Sequence, residues 1–126
     1  MTIRANEEIL PLTPQVFYVL TALAGGHNLT GSYIARRVKE LSGSIVDMGA
    51  GSIYKILPKL TAMGLVENPF PRIFRLTDHG AWWLTAEITR LEAAAKTAKE
   101  ELAKFERFQA KKAPDTAVAE LLARSF

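Results

Sequence analysis

A chain of 126 residues, 48% hydrophobic and 23% charged, has the balance of an ordinary globular protein and the length of one domain, or of a small domain with an appended helix. No apolar run approaches the ~18 residues that span a bilayer, and the complete lack of cysteine excludes disulfides and thiolate chemistry. The net charge of +3 is compatible with nucleic acid but too modest to require it.

The opening residues, MTIRANEEILPLT, lack the layout of a secretory signal, so a cytoplasmic protein is expected. Residues 1–12 read as a loose arm in which Ile9, Leu10 and Leu12 offer apolar docking groups. Thr13-Pro14 starts a first helix, since the hydroxyl can cap free amides and proline at the first position loses no hydrogen bond. Val16, Phe17, Leu20, Leu23 and Ala24 form its apolar stripe, and Gly25-Gly26 ends it. Thr30 caps a second helix with Ile34, Ala35, Val38 and Leu41 inward and Arg36, Arg37, Lys39 and Glu40 outward; Ser42-Gly43-Ser44 stops it.

A third helix is predicted from Gly51 to Met63, with Ile53, Leu57 and Leu60 inward. At 100° per residue, Tyr54, Lys55, Pro58, Lys59 and Ala62 fall on the opposite face. Pro58 removes a hydrogen bond and crowds the preceding turn, so a kink or a late helix start is expected. Gly64 caps this helix. Leu65-Val66-Glu67 and Ile73-Phe74-Arg75-Leu76 then read as a short hairpin, joined by Asn68-Pro69-Phe70-Pro71-Arg72, a stiff turn that should not extend the sheet.

From Thr77-Asp78 the pattern turns helical, and no proline interrupts it before Pro114. Leu84, Ile88, Leu91, Ala95, Ala98, Leu102 and Phe105 are spaced 4, 3, 4, 3, 4, 3, an unbroken heptad seam. A domain of the size that precedes it has too little surface to cover a helix ~45 Å long. A second copy is the simplest source of a partner helix. Pro114-Asp115 begins a last amphipathic segment with Val118, Leu121 and Leu122 as its apolar side.

The predicted fold class is therefore mainly α with a small β-hairpin: a winged helix-turn-helix, residues 1–78, followed by a long C-terminal dimerisation helix in the helical region 79–126. In such a module the third helix enters the major groove of double-stranded DNA and the wing follows the backbone. The local charge agrees: between Gly49 and Arg75 lie Lys55, Lys59, Arg72 and Arg75 against one acid, Glu67. The expected DNA-binding set is Tyr33, Arg36, Ser52, Tyr54, Lys55, Lys59, Arg72 and Arg75.

The stretch GSIYKILPKLTAMGLVE (Gly51 to Glu67), followed by IFRLTDHG (Ile73 to Gly80), resembles the signature of the PadR family of bacterial regulators, over roughly residues 10–110. Lys55 stands where that family usually has proline, Ser32 where it has an aromatic residue, and Phe74 in place of the wing tyrosine. The resemblance implies a homodimeric repressor of a pseudo-palindromic operator, paired through its C-terminal helix. Some members of that family bind flat hydrophobic or aromatic small-molecule effectors, with tryptophans in or near the dimer interface; Trp82 and Trp83 are the candidates for such a pocket here.

Blander readings stand beside these. Lys55 and Lys59 are also what a solvated helix face carries, strand arginines often cover apolar surface, and Tyr54 fits half-buried packing. Adjacent tryptophans cannot both enter one narrow helix face, so one is expected to pack on the wing. His27 and His79 have no metal-site spacing, and no cofactor is expected. No nucleophile–base set, phosphate-cradling glycine loop or carboxylate pair points to an enzyme. The alternative class is a winged-helix protein-interaction or ligand-sensing module without DNA binding.

Overall fold

The computed structural model describes residues 11–111 and 121–124. The readings for Ile9, Leu10, Pro114, Asp115 and Val118 fall outside them; Leu121 and Leu122 fall inside and are exposed. By internal contacts the chain forms two units, Met1–Thr89 and Arg90–Phe126.

In the first unit, α1 (Pro14–Gly26) starts where Thr13 Oγ1 accepts the Val16 amide at 3.2 Å. Its buried stripe is Val19, Leu20, Ala22 and Leu23, with Val16 and Phe17 half-buried. Ala24, expected inward, is exposed, because the stripe is turned toward Val19 and Ala22. Strand β1 (Leu29–Thr30) leads directly into α2 (Gly31–Leu41), whose first turn is capped by Thr30 Oγ1 accepting from the Tyr33 amide at 3.2 Å. Ile34 and Val38 are buried; Leu41, in the last turn, is exposed. Buried Ser42 then closes the turn, its hydroxyl accepting the Val46 amide at 2.9 Å.

Helix α3 (Ala50–Ala62) buries Ile53, Leu57 and Leu60. It neither starts late nor breaks at Pro58: it runs unbroken through the proline. Tyr54, whose carbonyl loses its helical donor to the proline ring, and Pro58 itself both lie on the exposed face, where water can replace the missing bond. Gly64 follows at φ 79°, the left-handed conformation that glycine adopts without penalty.

The sheet has three antiparallel strands in the order β1-β3-β2, with β2 (Val66–Phe70) and β3 (Ile73–Leu76) forming the wing. The expected two-stranded hairpin gains β1 by pairing Leu29 with Phe74 and Thr30 with Ile73. Nor does the strand stop at Asn68. It continues through Pro69, with a register shift between Glu67 and Phe70. Proline is tolerated at such irregularities because no ladder amide is needed there. The Asn68 side-chain amide supplies the missing donors, reaching the carbonyls of Phe70 at 2.7 Å and Ile73 at 2.6 Å. The turn itself shrinks to Pro71-Arg72, with Arg72 at φ 66°.

Helix α4 (Asp78–Lys111) is capped by Thr77, whose Oγ1 accepts the Gly80 amide at 2.9 Å and donates to the Gly64 carbonyl at 2.6 Å. Gly80 is buried in its first turn, and a Cβ there would lie 2.0 Å from the Leu65 carbonyl oxygen. Trp83, Leu84 and Glu87 are the buried residues beyond it. Glu87, only 1% exposed, accepts the Leu12 amide at 3.2 Å and so ties the segment before α1 to α4. In the second unit, α4 continues to Lys111 with its side chains almost entirely exposed.

Candidate nucleic-acid interface

Burial of Ile53, Leu57 and Leu60 sets the rotation of α3 and leaves Ser52, Lys55 and Lys59 on its outer face, all exposed. With Gln15 and Ile56 they line one shallow hollow. Gln15 lies outside the expected set. It comes from the first turn of α1, a non-local neighbour that no periodicity in the chain reveals. Among the described residues, neither lysine is paired with a carboxylate, so the positive charge of this face is unmatched.

On α2, Arg36 lies with its guanidinium carbon 4.7 Å from the centre of the Tyr33 ring. The ring restrains a side chain that would otherwise sample many rotamers. Tyr33 and Arg36 share a second hollow with the hydroxyls of Thr30 and Ser32. Arg37 behaves differently, bound to Glu40 at 2.9 Å. The array thus offers hydroxyl and cationic groups suited to phosphate oxygens and base edges.

Tyr54 has a different place from its expected partners. Its ring packs over Gly31, where an added Cβ would sit 2.7 Å from Cζ and 2.8 Å from Oη. Though part of its surface is exposed, it joins α3 to the start of α2, and its geometry serves to orient the two helices. In the wing, Arg72 is exposed at the turn and unpaired among the described residues, beside exposed Phe70. Arg75 is directly opposite Glu67 in the β2–β3 register, and its Nε donates to the Glu67 carboxylate. Its charge is matched within the wing.

The adjacent tryptophans divide. Trp83 is 2% exposed in the core and donates through Nε1 to His79 Nε2 at 3.2 Å, whereas Trp82 is 60% exposed. The His79 ring is stacked with Trp82, 6.4 Å between centres. Only Trp82 is open to a ligand. Leu84, first residue of the heptad seam, is 7% exposed within the core of the winged unit, because it follows Trp83 on the helix side that covers that core. Ile88, Leu91, Leu102 and Phe105 stand between 39% and 54% exposed, with Ala95 and Ala98 also exposed. Among the described residues no cluster of ligating side chains suits a metal, and no helix is long and apolar enough to cross a membrane.

No curated protein matches the sequence. Among solved structures, the chain is similar to a transcriptional regulator from Clostridium thermocellum, at 15% identity and TM-score 0.56 over 75% of this chain and 96% of that one. It is similar to NadR, solved in complex with 4-hydroxyphenylacetate, at 21% identity and TM-score 0.57 over 98% and 92% of the two chains. A chain of the hsRosR-S1 complex structure aligns at 26% identity and TM-score 0.51, covering 91% of this chain and 96% of its own. These likenesses agree with a winged-helix fold. The model of the transcriptional regulator PadR-like family matches residues 19–86. The chain belongs to that family, whose proteins regulate transcription and are not enzymes.

Proposed function

We propose that the protein is a homodimeric, sequence-specific DNA-binding repressor that holds a pseudo-palindromic operator and is released by a small hydrophobic or aromatic effector. The observation that carries this reading is the outer face of α3, where Ser52, Lys55 and Lys59 stand exposed with no carboxylate to neutralise them. Helix α3 inserts in the major groove, Arg36 grips a phosphate beside it, and Arg72 does the same from the wing. Residues 1–78 carry the DNA contacts and residues 79–126 the self-association, through Ile88, Leu91, Ala95, Ala98, Leu102 and Phe105. A dimer presents two α3 helices at a fixed spacing, and this is why a two-fold operator is expected. The effector part rests on exposed Trp82, a flat surface for an aromatic ring, and on NadR having been solved with an aromatic acid.

Selection of bound sequences from a random DNA pool tests the reading, and a two-fold consensus is the expected result. On the selected site, Lys55→Ala with Lys59→Ala lowers affinity and reduces the dependence of log K on log salt by about one for each phosphate left without its lysine. Unchanged affinity and slope in the double variant would remove α3 from the interface. A dimer with no DNA affinity above background at low salt would identify an interaction or ligand-sensing module instead.

A further inference from the structure

We infer that a second copy docks antiparallel along α4, about an axis passing between Lys96 and Thr97, with reciprocal ion pairs joining Glu92 to Lys99 of the partner subunit. The inference rests on the self-association proposed above and specifies its direction and register. It starts from exposure: large apolar side chains from Ile88 to Phe105 stand uncovered at heptad spacing, with alanines at the centre of the run. Alanines 95 and 98 permit close approach of two backbones, and the larger groups close the two ends.

Charge then selects among the possible pairings. In a parallel, in-register pair, Glu101 falls opposite the partner's Glu106, a like-charge contact made twice. The antiparallel pair about residues 96 and 97 puts Ile88 on the partner's Phe105, Leu91 on the partner's Leu102 and Ala95 on the partner's Ala98. At its flanks, Glu92 meets the partner's Lys99 twice by symmetry, and Glu101 meets the partner's Ala94. Sliding by one heptad destroys this match: one direction sets Lys99 against the partner's Lys99, the other sets Glu92 against the partner's Glu92. Glu92, Ala95 and Lys99 line one shallow hollow on α4, and among the described residues neither charge has an ion-pair partner in its own chain. Both are free for the interface.

Cysteine trapping reads the arrangement directly, since the chain has no cysteine of its own. Full-length Leu91→Cys mixed with Leu102→Cys is expected to form a disulfide under mild oxidation. Leu91→Cys alone should not: antiparallel copies hold those positions about 16 Å apart along the axis, and a disulfide needs Cα atoms within ~7 Å. Cross-linking of Leu91→Cys with itself would overturn the inference in favour of a parallel pair. A dimer by sedimentation that cross-links in neither experiment would overturn it in favour of another surface. Both results leave the dimeric regulator standing, whereas a monomer at micromolar concentration removes dimer and inference together. As a second readout, Lys99→Glu should raise the dimer dissociation constant about tenfold and Glu92→Lys with Lys99→Glu should restore it, with circular dichroism confirming the fold of each variant. Failure of the charge swap to restore pairing counts against the register.

Discussion

Replacing Gly80 by alanine sets two physical effects against each other and predicts which one wins. Helix propensity alone favours the change, because alanine exceeds glycine by about 1 kcal/mol inside a helix. The structure opposes it. The new Cβ lies 2.0 Å from the Leu65 carbonyl oxygen and 2.7 Å from Leu76 Cδ1. An unstrained carbon–oxygen contact is about 3.3 Å, so α4 must retreat from the wing by more than about 1 Å. The retreat works against the Thr77 amide bond to Leu65 O at 3.1 Å and the Thr77 hydroxyl bond to Gly64 O. Each is worth about 1 kcal/mol, and the overpacking itself costs about 1–3 kcal/mol. The net is a loss of about 2–4 kcal/mol, which lowers the melting temperature by about 10–30 °C for a unit of this size. Urea unfolding followed by circular dichroism should show a lower midpoint at unchanged slope. Gly51→Ala is the internal control: it lies inside α3 with nothing within 4 Å of its Cβ, and should be neutral or stabilising by about 0.5 kcal/mol. A Gly80→Ala protein as stable as the parent would refute the close approach of α4 to the Leu65 carbonyl.

Two further outcomes follow from the site. Glu67→Gln releases Arg75 from its carboxylate, so DNA affinity at low salt should rise and the salt dependence should steepen by up to about one phosphate contact; titration of the selected operator at several salt concentrations reads both, and unchanged binding would keep Arg75 off the DNA. Trp83→Phe loses the bond to His79 and part of a buried ring, costing about 1–3 kcal/mol in urea unfolding, whereas Trp82→Phe should stay within about 0.5 kcal/mol. Iodide should quench the parent's fluorescence but hardly that of Trp82→Phe, and the reverse pattern would exchange the two rings.

Much of the winged unit was legible because its signals are local. Thr13 and Thr30 cap the helices they precede, and Ile53, Leu57 and Leu60 keep the period that a buried helical face needs. Strand β1 was not, because Leu29-Thr30 is strand only through pairing with residues more than forty positions away. Pro69 misled for a related reason: proline ends a regular ladder, but a register shift leaves it no amide to supply. That only one tryptophan would be buried could be reasoned from their adjacency; which one depends on the rotation of α4, fixed by Gly80 against the wing. The charges of the candidate interface could be counted in sequence, yet their availability could not. Arg75 and Arg72 look alike there, and only the β2–β3 register reveals that one of them is matched by Glu67.

The tip of the wing joins an irregular strand to a non-glycine residue, Arg72, held at φ 66°. A left-handed arginine costs the turn about 1–2 kcal/mol against glycine, and the ladder beside it is interrupted at Pro69. Such a tip should exchange its amide hydrogens well before the helices do. Under the proposed DNA-binding function, a cation on so deformable a tip would follow grooves of different width and leave discrimination between sequences to α3.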